Sequence, residues 1–277
     1  MSNKLTKKVI YTCITDRYDE LVDHSFVHPN WDYVCFSDTT IPDDYNRSWQ
    51  IRPLRYAKLD PAKNNRWHKI NPHLILSKYR YSLYVDANLE ITSQKFFDYI
   101  DNTVKFAATK HPVRKCAYKE QKICTKLKKD DPEIMEKLTT KMSAAGFPTD
   151  YGLYANGILL RQHMNKKVIK VMQAWWQIVR TYTVRDQISL PYALWMKKYE
   201  IQELNFTIQN CRQLKYWPHS KDNRAHINYL ENQNVAYKKY ARAIAKEHRK
   251  MSKELKKIEA TKSHKLVTFI NKHFLHR

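Results

Sequence analysis

The sequence predicts an α/β protein whose mainly parallel sheet is covered on both faces. Two observations point there. Strand-like runs alternate with helical stretches through most of the chain, the order that produces parallel pairing. Those strand-like runs are near-continuously apolar rather than alternating, as strands buried on both faces must be. A third observation sets off the end of the chain: from residue 234 the sequence becomes densely basic with a helical repeat.

Taken in order, Lys8 to Ile14 is the first strand, with Thr15-Asp16-Arg17-Tyr18-Asp19 as its exit loop. Asp32 to Asp38 is the second, and Trp49 to Pro53 a short third closed by its proline. Ala62 to Tyr79 carries a helical face of Trp67, Ile70, Leu74 and Ile75, although Pro72 is an obstacle to an unbroken helix. Tyr81 to Val85 is a strand of aromatic and β-branched residues. A helix near Gln94 to Ile100 and a strand near Val104 to Lys110 follow. Ile134 to Ala145 is helical and closes on Gly146-Phe147-Pro148, a C′ glycine followed by proline. Tyr154 to Arg161 is a strand, Val168 to Thr181 a helix, and Arg185 to Lys197 another. Trp175 and Trp176 read as core packing, with sugar stacking as the alternative.

At 277 residues, with 43% hydrophobic and 13% aromatic content, the chain supports one large α/β domain with additions. Its three glycines, Gly146, Gly152 and Gly157, compare with roughly 7% in an average chain. No Gly-x-Gly exists, which excludes the glycine phosphate loops of dinucleotide-binding folds, P-loop enzymes and kinases. Five cysteines form no Cys-x-x-Cys pair, and Cys13 and Cys35 sit in apolar runs, as reduced core residues of a cytosolic protein do. No apolar segment reaches the length of a signal or membrane span.

A net charge of +23 calls for an anionic partner: nucleic acid, anionic lipid or a nucleotide-linked substrate. Residues 234–277 hold thirteen Lys or Arg against three Glu. Their apolar seam, Tyr237, Ala241, Ile244, His248, Met251, Leu255 and Ile258, is of coiled-coil spacing. Leu266 to Leu275 continues as a short amphipathic segment. The division expected is therefore 1–233 as the α/β domain and 234–277 as a basic amphipathic helical tail.

The chemistry concentrates at Tyr84-Val85-Asp86-Ala87-Asn88. A carboxylate at the C-terminal end of a buried strand lies at the crevice where open α/β sheets bind ligands. Asp86 and Asn88, at i and i+2, offer hard oxygen ligands suited to Mn²⁺ or Mg²⁺ entering with a diphosphate. The plainer alternative is a turn, which favours the same residue types.

Four motifs carry a resemblance. Val9 to Asp19 resembles the opening strand and nucleotide-contacting loop of GT-A glycosyltransferases. Tyr84 to Asn88 resembles their metal-binding Asp-x-Asp, with Asn in the last place. Tyr154 to Arg161, with Asn156 and Gly157, resembles the Asn-x-Gly strand of glycogenin-like enzymes. Arg185-Asp186-Gln187-Ile188-Ser189 resembles their Asp-Gln motif. The closer likeness is to the family of plant rhamnogalacturonan galacturonosyltransferase-like proteins and bacterial polysaccharide glycosyltransferases, over roughly residues 8–220, and Asn65 to Ile70, His111-Pro112 and Trp175-Trp176 fit it too.

The resemblance implies a GT-A, Rossmann-like fold and transfer of a sugar from a nucleotide sugar, most simply a UDP-sugar, to a capsule or lipopolysaccharide acceptor, free or lipid-linked. It implies Asp86, Asn88 and His219 around Mn²⁺ or Mg²⁺. Thr12, Thr15, Asp16, Tyr18, Asp38, Arg66, Lys69, Asn156, Gly157 and Lys221 would meet the donor, and Asp186 and Gln187 the reacting centre. Each has a plainer role available: Asp16 and Tyr18 as caps, Arg66 and Lys69 as a solvated i,i+3 pair, Asp186 as a helix-start charge. Retention is favoured over inversion. The tail suits the anionic inner face of the cytoplasmic membrane, or else packs on the domain or in a homodimer. The rival from another class, a basic nucleic-acid-binding or scaffold protein, lacks any recognisable nucleic-acid module.

Overall fold

The structure, a computed structural model, describes residues 7–41, 48–101, 103–219, 242–257, 259–262 and 264–265. The chain divides into two compact units, Met1–Lys221 and Asp222–Arg277. The expected boundary at 233 lies outside the described residues.

The first unit is built on a seven-stranded sheet. Its strands are β1 (Lys8–Ile14), β2 (Trp31–Ser37), β3 (Gln50–Pro53), β4 (Tyr81–Val85), β6 (Phe106–Lys110), β7 (Tyr154–Arg161) and β8 (Gln202–Leu204), in the order β3-β2-β1-β4-β7-β6-β8. Pairing is parallel except at β7, which runs against both β4 and β6. The sequence did not disclose that reversal, because a strand buried at every position carries the same apolar pattern in either direction. A separate two-stranded sheet pairs β5 (Leu89–Ile91) with β9 (Leu214–Tyr216).

Side chains alternate across the sheet and feed two cores. Val9, Tyr11 and Cys13 of β1 join one cluster with Ile70, Leu138, Trp175 and Val179. Ile10 and Ile14 join the other with Phe96, Leu89, Ile91 and Leu214. Thus the α-helices cover one face, while a 3-10 helix over Gln94–Tyr99 and the small sheet cover the second. Trp175 and Trp176 belong to the first core, with the Trp175 indole N–H donating to Ser189 Oγ at 3.0 Å.

Helix boundaries follow local chemistry. α1 (Pro61–Ile70) starts at Asp60, whose carboxylate accepts from Lys63 N, with Pro61 in the first turn, where its missing N–H costs nothing. The single helix expected over 62–79 is instead α1 and the short α2 (Pro72–Ile75), because Pro72 holds Asn71 out of helical geometry at φ −110, ψ 47. α3 (Ala117–Lys126) was not foreseen. α4 (Pro132–Ala144) is capped by Asp131 and ends on Gly146 at φ 77, with Phe147 N bonded to Met142 O at 3.0 Å. α5 (Lys166–Thr181) is capped by Asn165, and α6 (Asp186–Met196) follows.

All five cysteines are buried and unpaired with one another. Among the described residues no helix is long and apolar enough to cross a membrane. In the second unit, residues 242–257 are helical and exposed, with Ile244, Met251 and Leu255 on one stripe. His248 of the seam lies on the same exposed helix, whereas Tyr237, Ala241 and Ile258, and the final segment from 266, lie outside the described residues.

Candidate active site

Parallel pairing of β1 and β4 brings both of their C-terminal ends to one edge. The reversed β7 brings its beginning there as well. The Asp86 N–H donates to Gly157 O at 2.9 Å, directly after the Val85–Ile158 pair. A cavity of about 560 Å³ opens at this edge.

Its deep wall is α1 facing the start of α6. Lys69 Nζ lies 2.6 Å from Asp186 Oδ2 and 3.6 Å from Asp86 Oδ1, over the Tyr84 ring at 4.8 Å. Arg66 Nε donates to Val184 O at 3.2 Å and sits 3.8 Å from Asp186 Oδ2. The Lys69 and Asp186 side chains are 3% and 5% exposed, whereas Asp86 is 34% exposed. The Lys69 carbonyl accepts from Tyr11 Oη at 2.7 Å, which anchors this end of α1 to β1. Burial alone would raise the Asp186 carboxyl, but Lys69, Arg66 and Arg185 outweigh it and hold it well below the usual carboxylate range. Burial likewise opposes the charge on Arg66, and Asp186, Tyr84 and Asp86 more than restore it.

The loop after β1 forms the rim. Asp16 and Arg17 adopt left-handed backbone at φ 54 and φ 50, a conformation aspartate tolerates better than most residues. Asp16 N donates to both Asp38 carboxylate oxygens at 3.0 Å, and Thr15 Oγ1 donates to Pro61 O at 2.8 Å. Asp38 therefore secures the loop and does not line the cavity. Thr12 is fully buried in β1 and is likewise absent from the lining.

The β5–β9 strap stands behind the one lining residue that follows it, His219. Asn88 Nδ2 donates to Trp217 O at 2.8 Å and Trp217 N donates to Asn88 O at 2.9 Å. Two residues further on, His219 reaches the cavity, its Nδ1 2.9 Å from Asp19 Oδ1 and its ring 5.4 Å from that of Tyr18. Gly157 closes the remaining side. A Cβ there would stand 2.9 Å from Asp86 Oδ2 and 2.7 Å from Ile208 Cδ1. Asn156 is 1% exposed, and neither amide atom has a hydrogen-bond partner.

Of the residues singled out in the sequence, Thr15, Asp16, Tyr18, Arg66, Lys69, Asp86, Asn156, Gly157, Asp186, Gln187 and His219 share this cavity. Asn88, Asp38 and Thr12 do not line it, and Lys221 lies outside the described residues. Sequence reasoning gave no site role to Asp19, Asp60, Asn65, Lys129 and Arg185, although Asp19, Asn65 and Arg185 fall within its motifs. Lys129 arrives on the α3–α4 loop, which Asp130 ties to the segment before α6 by accepting Val184 N at 2.8 Å. Only the Asp131-Pro132 cap hinted at that loop.

Among the described residues no three His, Cys, Asp or Glu gather into a ready-made metal shell. A Mg²⁺ or Mn²⁺ held by one or two protein ligands and substrate phosphates needs none. Asp86 and His219, both in the lining, fit that sparser arrangement, whereas the Asn88 amide is engaged with Trp217.

The chain belongs to the TOD1/MUCI70 family of glycosyltransferase-like domains, whose match spans residues 6–217. Comparison with curated proteins gave no match. Among solved structures, the chain is similar to the apo structure of WbbM, a bifunctional glycosyltransferase, at 10% identity and a TM-score of 0.41. That likeness covers 76% of this chain and only 42% of the other, and at this level it fixes neither activity nor substrate.

Proposed function

We propose that the chain transfers a sugar from a UDP-sugar to a surface-polysaccharide acceptor with the help of Mn²⁺ or Mg²⁺. The observation that carries this reading is the charge balance of the cavity. Five carboxylates, Asp16, Asp19, Asp60, Asp86 and Asp186, face four fixed cations, Arg66, Lys69, Lys129 and Arg185. An anionic diphosphate gains little from so balanced a wall, and a divalent ion would supply the missing attraction.

Asp86 and His219 would hold that ion, which when bound offsets charge developing on the leaving diphosphate. Arg66 and Lys69 contribute fixed positive charge beneath it, in a site where preorganised charges act strongly. Asn156, with both amide atoms unpartnered, is suited to hydrogen-bond sugar hydroxyls. A carboxyl held as low as that of Asp186 is a poor proton acceptor near neutral pH. Asp186 therefore serves better as a fixed negative charge beside an oxocarbenium-like sugar than as a base, which favours retention.

The basic helix of the second unit, with Ile244, Met251 and Leu255 exposed among lysines, supports association with the anionic inner face of the cytoplasmic membrane, where a lipid-linked acceptor would be met. Truncation after Gln233 is expected to abolish sedimentation with anionic vesicles and preserve activity on a soluble acceptor. Vesicle binding that survives truncation would refute the membrane role. For the donor, a panel of nucleotide sugars is tested by thermal shift with and without Mn²⁺. A UDP-sugar should raise the melting temperature only with the ion, since a ligand that binds the native state stabilises it. No shift with any nucleotide sugar would refute the reading.

A further inference from the structure

Asn88 stands where the resemblance expects a metal-binding carboxylate, yet it is 3% exposed and absent from the cavity lining. Its side-chain NH₂ is spent on Trp217. The Trp217 carbonyl can only accept, so the amide group 2.8 Å from it is the NH₂. The Trp217 N–H returns a bond to Asn88 O at 2.9 Å, and its indole N–H donates to Glu90 Oε2 at 2.9 Å. Between these grips, Leu89 pairs with Tyr216 and Glu90 with Lys215, whose Nζ lies 3.7 Å over the Trp217 ring. Residues 88 and 90 thus hold one residue by backbone and side chain alike. Pro218 follows, and then His219 enters the cavity against Asp19.

We infer that Asn88 is a positioning residue whose amide clamps the Trp217 backbone and so delivers His219 to the cavity, and that the asparagine is there for its N–H donor rather than as a metal ligand. An aspartate at 88 has no hydrogen to offer. It would set carboxylate oxygen against carbonyl oxygen at a buried site, where an unmade bond is costly. The two roles give opposite expectations for Asn88→Asp: a ligand should bind the ion better with its charge restored, and a clamp should fail. What the cavity holds rests on the UDP-sugar reading above; the clamp itself does not.

The test compares the full-length wild type with Asn88→Asp and Asn88→Ala. Amide exchange at Trp217 should accelerate about tenfold or more in both variants, as expected for loss of one buried hydrogen bond, while amides of β1 and β4 keep their protection. UDP binding in Mn²⁺, measured by calorimetry, should weaken in Asn88→Asp. With His219→Ala already present, Asn88→Asp should weaken it no further. Unchanged exchange at Trp217, tighter UDP binding by Asn88→Asp, or additive losses in the double variant would each overturn the proposal. So would loss of protection throughout β1 and β4 in both variants, which would make Asn88 a support of the whole fold. If the wild type takes up no UDP, the donor reading fails and the exchange result alone decides the clamp.

Discussion

Along one wall of the cavity, α1 and α6 hold Arg66, Lys69 and Asp186 by buried ion pairs. On another side, the β5–β9 strap holds Trp217 by hydrogen bonds to backbone and indole, and His219, two residues on, reaches the cavity. The first wall fixes charge, and its strength depends on every partner being present, because a buried charge left alone is far costlier than an exposed one. The second fixes position, and its strength lies in donors and acceptors matched one to one. The walls should therefore fail under different insults.

The largest effect is expected on the ion-paired wall. Lys69→Met removes the cation between Asp86 and Asp186 and leaves the buried Asp186 carboxylate with only the more distant Arg66 and Arg185. Destabilisation of about 3–5 kcal/mol is expected from breaking such a pair, read as a lowered denaturant midpoint. A loss below about 1 kcal/mol, the scale of an exposed pair, would mean the wall is not held by charge. Asp186→Asn keeps the shape and removes the charge. Turnover should fall about a hundredfold, the scale of a preorganised charge at a reacting centre, with much less effect on binding of free UDP. Equal losses in both would move Asp186 to the nucleotide.

Acid acts on both walls next. His24, His68, His73 and His163 are each pushed down by burial from 6.5 to about 4. The unfolded chain takes up these protons near pH 6.5 and the native chain only near pH 4. The stability from keeping them neutral is complete above 6.5 and is lost as pH falls through that window. Asp186, held low, gives its stability above the ordinary carboxylate range and loses it only in stronger acid. His24 Nδ1 accepts Ile91 N at 3.1 Å and His68 Nε2, on α1, accepts Arg55 N at 2.9 Å, bonds that a protonated ring cannot accept, so β5 and α1 should both loosen in this window while the Asp186 ion pairs persist. A denaturant midpoint that stays flat from pH 6.5 to 4 would contradict this. The smallest stability effect is expected at Gly157→Ala. The added methyl meets only the ends of Ile208 and Asp86, so melting should change little while the displaced Asp86 weakens UDP binding in Mn²⁺. Unchanged binding would show that the close approach has no consequence.

The same contrast explains what the sequence disclosed. The strands of the main sheet other than the three-residue β8, the Pro72 break, and the Arg66, Lys69, Asp86 and Asp186 cluster were legible because their residue types state their chemistry. The strap was not. Leu89–Ile91 and Leu214–Tyr216 are three residues each, too short for a period, and Asn88 has the same letter whether its oxygen meets a metal or its nitrogen meets a carbonyl. α3 escaped notice because it lacks a side-chain cap and is rich in lysine. Lys129 could not be placed without the loop that carries it. Membership of a glycosyltransferase-like family agrees with the motif order, while donor, acceptor and ion depend on side-chain detail that motif order does not contain.

The most direct measurement of the central claim is donor-dependent UDP release by the wild type and by Asp86→Ala, each with and without Mn²⁺. The account predicts release by the wild type only when a UDP-sugar and the ion are both present, and none above background from a still-folded Asp86→Ala. Near-normal release by Asp86→Ala, or wild-type release indifferent to the ion, would contradict it.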